Sequence, residues 1–474
     1  MVPAEPGGGV MRADLLTGET AGLDEALAAV DGFDDALTEG LLRPRPAGAA
    51  ALTALAQALA GSPPAARVAE AAEKTAAGAA DEEHFVALAA ARTALLGSVH
   101  DALTARAAEA VGRPRAEEIA PAPGERPRPV NLLLAARAWL SDLARAGWRG
   151  IDHEIVSGSA PVISAMLADP ALRRLAALLD GFAVELAASC PGATLERVPA
   201  RRWADLWSRA VLLTLPGAAD APAGGTATGR LLPLGVDLHE HATAVQSQVH
   251  GVFEPADGSP SRLVRASVSV PKPDSVVGAG LWQLLRPHMS LLAAVGEGRS
   301  VELTGMPVTA EGDLLWDDAH ARAGESADPF VTARVALPAA TDPVTAPLDR
   351  HPARIAVPVF LEGYERGTGE DGRPVFTVAG HPLPVDTGRI PVAGPLTPEA
   401  VAASGACVGL LRWDAGTFFV QPLAVERTVR KKTTALHAGA WAAGTTDKAG
   451  AKAEKAATDA VAVLRERAGR LLRK

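Results

Sequence analysis

Hydrophobic residues in the first half of the chain recur every three or four positions, which is the period of an α-helix that buries one face. Leu23, Leu27 and Val30 share such a stripe, and Leu175 and Leu179 share another further on. Asp169-Pro170 is a typical helix start, because an aspartate caps the helix and proline suits its first position. The sequence predicts an all-α N-terminal half built from antiparallel helices with Pro- and Gly-rich connections.

The period changes beyond the Gly-, Ala- and Thr-rich stretch that ends at Gly229. Val264, Ala266 and Val268 alternate there with polar neighbours, as in a half-buried β-strand. Further strands are predicted at 300–305, 313–317, 330–337, 354–361, 375–378, 407–413 and 417–422, with a short helix broken at Pro287 and another begun by Thr397. Short, near-evenly spaced strands predict a mostly β C-terminal half made of small barrel- or sandwich-like modules.

The fold class predicted for the chain is therefore α+β and multidomain, closed by a basic C-terminal helix. A length of 474 residues suggests several domains. The predicted division is a flexible start (1–21), a helical bundle (22–112), a Pro-rich linker (113–130), a helical domain (131–216), a linker (217–229), β module 1 (230–340), β module 2 (341–426) and a basic tail (427–474).

Charge is unevenly distributed along the chain. The net charge is −9, yet residues 427–474 contain twelve Lys or Arg and only four Asp or Glu. The tail thus carries an excess of eight positive charges, while residues 1–426 carry seventeen more acidic than basic side chains. An acidic body with a basic tail is less typical of a broad nucleic-acid-binding face than a basic domain is. The tail alone could still contact phosphate, an acidic partner or the body itself.

The two cysteines, Cys190 and Cys407, cannot form a disulfide framework and match no zinc-finger spacing, so we interpret both as small buried hydrophobic residues. The N-terminus lacks the basic and apolar regions of a secretion signal, and charges interrupt every long apolar run. These features predict a soluble cytoplasmic protein without a membrane span. The abundance of Ala, Gly, Pro and Arg is typical of a GC-rich genome.

The histidines form the most concentrated group of metal-capable side chains. His239 and His241 lie two residues apart on a predicted strand, so both rings project from one face, and His250 follows on the neighbouring strand. Two imidazoles and a third ligand, or Asp237, could hold a zinc ion. The simpler interpretation of this His-x-His pair is an exposed polar strand face, and no cofactor is predicted beyond this possible zinc.

Other catalytic patterns are missing from the sequence. It contains no Gly-rich phosphate loop with Lys-Ser/Thr and no Gly-x-Ser-x-Gly nucleophile elbow. The acidic pairs Asp317-Asp318 and Glu370-Asp371 lack the apolar flanks that would bury them, so we interpret them as loops or turns.

Basic side chains in the tail are the remaining candidates for binding nucleic acid or an acidic partner. Such residues release counterions from a polyanion without reading its sequence. Alternatively, they form a solvated face whose apolar stripe packs on the acidic body or on a partner. The candidates are Arg427, Arg430, Lys431, Lys432, Arg465, Arg467 and Arg470.

Three functions stay open at this point. The sequence favours a non-enzymatic binding or scaffold protein that associates with a protein partner, because no nucleophile, base and orienting group can be assembled from it. The first alternative is a single-stranded nucleic-acid-binding protein that uses the β modules and the basic tail. The second is a metal-assisted hydrolase at His239, His241 and His250.

Overall fold

A computed structural model describes residues 11–18, 20–116, 130–216, 218, 224–241, 243–370, 372–429 and 432–471. It confirms the predicted fold class: helices make up the first half, β-sheets dominate the second, and a helix closes the chain. Most of the predicted Pro-rich linker lies outside the described residues.

Ten helices precede the first strand within the described residues. They are α1 (Asp14–Thr17), α2 (Leu23–Glu39), α3 (Pro46–Ala58), α4 (Ala65–Ala76), α5 (Glu82–Val111), α6 (Val130–Ala146), α7 (His153–Ser157), α8 (Ala160–Leu167), α9 (Arg173–Ala188) and α10 (Ala200–Leu213). The longest, α5, starts at a capping box in which Asp81 accepts from the His84 backbone N–H and His84 Nδ1 accepts from the Asp81 backbone N–H. It ends at Gly112, whose φ of +66° is left-handed.

The helical core is organised by aromatic side chains. Trp148 lies edge-on to both Phe182 and Trp203, with ring centroids 5.9 and 5.8 Å apart. Trp207 is fully buried and donates its indole N–H to the Leu140 carbonyl at 2.8 Å. These contacts tie α6, α9 and α10 into one packed unit.

Thirteen strands follow in the described part of the chain. They are β1 (Gly224–Glu240), β2 (Ala244–Pro255), β3 (Arg262–Pro271), β4 (Arg299–Thr309), β5 (Asp313–Leu314), β6 (Ala321–Ser326), β7 (Val357–Glu362), β8 (Glu365–Thr368), β9 (Pro374–Val378), β10 (His381–Pro384), β11 (Ala406–Asp414), β12 (Thr417–Val429) and β13 (Lys432–His437). The helices among and after them are α11 (Leu281–Leu285), α12 (Leu291–Gly296), α13 (Pro329–Val335), α14 (Pro398–Ala402) and α15 (Lys448–Leu471).

The first five strands close into a small barrel, which we call the first barrel (residues 224–314). The strand order is β1-β2-β3-β5-β4, and β4 also pairs with β1, so the ring is complete. All pairings in the ring are antiparallel except β3 with β5. The helices α11 and α12 connect β3 to β4, and β6 adds to the outer edge of β4.

A second barrel (residues 357–429) repeats this connectivity. Its first strand is β7 and β8, interrupted at Gly363, where φ is +68°. β8 pairs with β9 and β9 with β10, a parallel bridge from Val385 to Val420 leads to β12, and β11 pairs with both β12 and β7. The helix α14 again lies between the third and fourth strands. This connectivity is that of the OB-fold, a small Greek-key barrel.

The structure corrects one predicted strand. Residues 330–337 form the helix α13 and a following 3-10 turn, whereas their alternation of apolar and polar residues predicts a strand. Asp328 caps the helix by accepting from the Phe330 and Val331 backbone N–H groups, and Pro329 occupies its first position. Phe330, Ala333 and Leu337 are buried, which is helical spacing, so the cap and tertiary packing outweigh the alternation.

Two element boundaries also differ from the sequence predictions. The strand β1 starts at Gly224 and so includes residues 224–229, which are predicted as linker. The predicted basic tail begins within β12, and β13 pairs with it, so a β-hairpin precedes the C-terminal helix. The short helix after Thr397 and the helical segment broken at Pro287 are confirmed.

Hydrophobic packing joins the three parts. Phe330 and Ala333 of α13 are buried between the two barrels, against Leu234 of β1 and Val408 of β11. The second half of α5 packs on the second barrel, where Leu103 lies in the same apolar cluster as core residues of β7 and β11. The helical half and both barrels therefore meet around a common cleft.

Candidate functional site

A cavity lies where α5, α9 and α10 face the two barrels, and we call it the arginine cleft. Its volume is about 590 Å³, within the range of small-molecule and cofactor pockets. Its polar lining residues are His100, Thr104, Arg115, Arg174, Arg209, His239, Gln246, Gln248, His250, Arg265, Glu311, Asp313, Asp342, Thr345, Asp349, Arg354, Arg389 and Arg412.

The cleft is positively charged although the protein is acidic. Seven arginines line it against four carboxylates, an excess of three positive charges with the histidines neutral. The chain as a whole carries a net charge of −9. A concave surface that concentrates the charge opposite to that of the whole protein focuses its field on an anionic ligand.

One wall of the cleft is the face by which OB-fold barrels bind ligands. Gln246, Gln248 and His250 occupy every second position of β2 and line the cleft, while Val245 and Val249, at the alternate positions, are buried in the barrel. Arg265 lies opposite His250 on β3, and Glu311 belongs to the β4–β5 connection. OB-folds bind oligonucleotides and oligosaccharides across their second and third strands and the loops beside them, including the one between the last two strands.

Several cleft arginines are held in place by carboxylates. Arg354 and Arg209 both pair with Asp349, the former at 2.6 Å from Nη1 to Oδ1, and Arg265 forms a two-pronged pair with Asp313. Enclosure in the cleft, and next the nearby charge of Arg209, lower the pKa of Arg354, although 53% of its side chain stays accessible. The positive charges of these neighbouring guanidinium groups therefore repel one another, and a bound anion would reduce that repulsion.

Two arginines at the cleft keep their hydrogen-bonding capacity for a ligand. Arg115 and Arg174 are exposed and make no hydrogen bond or ion pair within the part of the chain that the structure describes. Arg174 lies in the first turn of α9, and its charge reaches Asp349 across the cleft. A guanidinium presents several donors in a fixed fork, which suits phosphate or carboxylate oxygens.

A buried carboxylate, Asp237, anchors the cleft between the two barrels. It accepts from Arg412 Nη2 at 2.6 Å, Gln421 Nε2 at 2.7 Å and His239 Nε2 at 2.8 Å. Burial alone would raise the pKa of Asp237, but the hydrogen bond from His239 and the charge of Arg412 hold it well below its ordinary value. Asp237 thus stays charged and joins β1 of the first barrel to β11 and β12 of the second.

The structure brings together two of the three predicted histidines. His239 and His250 line the cleft, whereas β1 ends at Glu240 and the exposed His241 does not line it. Among the described residues, no group of three or more His, Cys, Asp or Glu side chains could hold a metal ion. The zinc site and the metal-assisted hydrolase therefore gain no support from the geometry and stay predictions.

His250 is enclosed as a neutral imidazole. Its side chain is buried beside Arg265, and its Nε2 atom has no hydrogen-bond partner among the described residues. Burial, opposed by the charge of Asp237 and reinforced by Arg265, lowers the pKa of His250 to about 3. Protonating this imidazole would place another cation in the cleft wall.

The depressed pKa makes His250 a source of acid instability. Between about pH 6.5 and the folded pKa of about 3, the unfolded chain binds the proton and the folded protein does not, so stability falls as the pH falls. We expect this residue to cost about 2 kcal/mol of unfolding free energy on going from pH 7.5 to about pH 5. Between these two pH values, the unfolding free energy of the His250→Gln variant, measured with urea, should fall by that much less than the unfolding free energy of the unmodified protein.

The exposed His241 provides the matched control for this measurement. His241→Gln removes an imidazole at the end of the same strand pair but outside the cleft. The decrease of its unfolding free energy from pH 7.5 to about pH 5 should therefore equal that of the unmodified protein. If the unfolding free energy of His250→Gln fell with pH as much as that of the unmodified protein, His250 would not be the titrating group.

The predicted basic tail residues that the structure describes do not line the cleft. Arg427 and Lys432 lie on β12 and β13, and Arg467 and Arg470 are exposed on α15, where Arg470 pairs with Glu466. Arg430 and Lys431 lie outside the described residues, as does the side chain of Arg465. Phosphate binding by the tail stays a prediction, and so does association with a protein partner.

No known protein family, no curated protein and no solved structure matches this chain. The OB-fold assignment therefore rests on strand connectivity, and the site is defined by its own geometry. Within the described residues, no helix is long and apolar enough to cross a membrane.

Proposed function

We propose that this protein binds single-stranded nucleic acid in the arginine cleft, through the phosphate backbone. The observation that carries the proposal is the excess of arginine in a cleft that has, as one of its walls, the strand face by which OB-fold barrels bind oligonucleotides. A fold alone does not imply a function, and the charge of the cleft and its position beside the first barrel support this one.

The shape of the cleft favours a single strand over a duplex. The first barrel supplies one wall, while α5, α9, α10 and the second barrel supply the others, so the cavity is walled on several sides. A volume of about 590 Å³ accepts a short stretch of strand and is too small for a double helix. Exposed arginines such as Arg174 can follow the phosphates of such a strand.

The cleft contacts the backbone and does not stack the bases. None of its lining residues, among those the structure describes, is Phe, Tyr or Trp. Base stacking on aromatic side chains adds affinity in many single-strand-binding proteins. Its absence favours sequence-independent binding of moderate affinity with a strong dependence on salt.

The first test measures the binding of a fluorescein-labelled oligouridine by anisotropy at several salt concentrations. Neutralising about three phosphates predicts a slope of log K against log salt of about −2. Arg174→Glu should weaken binding by at least about tenfold and make the slope less negative by about 0.7, because a single phosphate contact is lost.

The neighbouring Arg173 supplies a matched control on the same helical turn. Arg173 is exposed and does not line the cleft, so Arg173→Glu makes the same charge change outside the site and should leave the affinity within about twofold. The paired change of Arg467 and Arg470 to alanine tests the tail in the same way. Equal losses of affinity in Arg173→Glu and Arg174→Glu would contradict the proposal. So would a protein that binds tripolyphosphate but binds no oligonucleotide.

A further inference from the structure

We infer that the arginine cleft prefers RNA to DNA, and that Glu311 provides this preference by accepting a hydrogen bond from a ribose 2′-hydroxyl. The inference rests on the proposed binding of single-stranded nucleic acid and names the class of strand that the same cleft takes. The 2′-hydroxyl is the group that distinguishes the two nucleic acids at a contact of this kind.

Glu311 differs from the other three carboxylates of the cleft. Asp313 pairs with Arg265, Asp342 with Arg113 at 2.9 Å, and Asp349 with Arg209 and Arg354. Glu311 has no ion pair or hydrogen bond within the described residues, and its Oε2 atom is buried without a partner. Glu311 is thus the cleft carboxylate whose accepting capacity is left for a ligand.

The chemistry of a lone carboxylate selects the ligand group that it contacts. An ionised carboxylate only accepts hydrogen bonds, so it repels a phosphate and attracts a hydroxyl donor. A buried oxygen without a partner is costly, and a ligand hydroxyl that donates to it removes that cost. A strand that offers phosphates to the arginines and hydroxyls to Glu311 satisfies both, whereas DNA supplies the phosphates alone.

The β4–β5 turn fixes Glu311 next to the phosphate-binding side chains. The Arg265 backbone N–H donates to the Gly312 carbonyl at 2.9 Å, which attaches the turn to β3. Gly312 has a φ of +76°, and a Cβ atom there would lie 2.9 Å from the Leu263 carbonyl oxygen, so the turn packs tightly against that strand. Glu311 and Arg265 therefore line the same part of the cleft, where the charge of Glu311 acts on the Arg265 guanidinium without forming an ion pair with it.

The test compares oligouridine, oligodeoxyuridine and 2′-O-methyl oligouridine of equal length, with the same label. We expect the RNA to bind at least about tenfold more tightly than the DNA, because one hydrogen bond to a charged acceptor is gained. The 2′-O-methyl strand should bind no better than the DNA, since its oxygen cannot donate. If the cleft merely accommodated a larger substituent at the 2′ position, the 2′-O-methyl strand would bind at least as tightly as the RNA.

The Glu311→Ala variant tests whether Glu311 produces the preference for RNA over DNA. It should lose about tenfold in affinity for RNA while its affinity for DNA stays the same or rises, because a negative charge leaves the cleft. Glu325→Ala, an exposed carboxylate on β6 outside the cleft, should behave as the unmodified protein. If Glu311→Ala unfolds, Glu311→Gln replaces it, and its weaker neutral acceptor should retain only part of the preference.

The outcomes separate this inference from the proposed function. Equal binding of RNA and DNA would overturn the preference and leave the proposed function in place, whereas no binding of either strand would overturn both. A preference for RNA that persists unchanged in Glu311→Ala and Glu311→Gln would overturn the assignment to Glu311.

Discussion

Replacing Asp237 with asparagine should destabilise the protein by about 3–5 kcal/mol, one of the two largest effects expected of a single substitution here. The asparagine amide has nearly the same shape as the carboxylate, so the cost is electrostatic. One of its two oxygens becomes an N–H₂ group that faces the donors of Arg412 or Gln421, and the buried Arg412 loses its counter-charge. Urea or thermal unfolding measures the loss.

Asp386 provides the control for this substitution. It pairs with Arg389 at 3.2 Å, but both side chains are partly exposed, so Asp386→Asn should change the stability by no more than about 1 kcal/mol. A double change of Asp237→Leu and Arg412→Met removes both charges and should cost less than the two single changes added together. Strict additivity would show that the two residues are not coupled.

Arg92→Met should cost a similar 3–5 kcal/mol in the helical half. Arg92 lies on α5 with 1% of its side chain exposed and binds both oxygens of Asp34, with Nε 2.6 Å from Oδ1 and Nη2 2.8 Å from Oδ2. It also pairs with Asp205 on α10 at 2.7 Å. Burial alone would lower the pKa of Arg92, but its hydrogen bonds with Asp34 raise it, so the guanidinium stays charged.

Methionine occupies much of the volume of the arginine stem, so the expected loss reports charge and not an emptied cavity. Two acidic side chains would face each other without a cation, and Asp34 is almost fully buried. Arg67→Met is the matched control, because Arg67 pairs with Glu83 at 3.0 Å in an exposed position, and it should cost less than about 1 kcal/mol. Comparable unfolding free energies for the two variants would refute the structural role given to Arg92.

These two networks also hold the residues around the arginine cleft in place. Asp205 takes part in the Arg92 network and contacts His351, which lies in the segment between Asp342 and Ala356 that forms one side of the cleft. Asp237 holds the opposite side, where the barrels meet. Partial destabilisation of either network is therefore expected to weaken ligand binding as well as folding.

Several single residues show which features of the fold and of the site the sequence predicts correctly. Leu175 and Leu179 of α9, and Val264 and Ala266 of β3, are buried as their spacing predicts. His239 and His250, which the sequence predicts as candidate metal ligands, both line the cleft, where arginines lie beside them. Glu311 lies in the turn between β4 and β5, and nothing in the local sequence shows that its carboxylate will be left without a partner.

The sequence by itself determined most of the helices and strands and the change from helical to strand spacing, because these depend on periodicity and turn chemistry over a few residues. Tertiary structure alone decided the closed rings of strands and the arginine cleft. Its seven arginines come from positions between Arg115 and Arg412, on helices, strands and loops. No local pattern marks such a site, because a charged side chain that is commonplace in sequence becomes significant only when distant segments bring it beside others of the same sign.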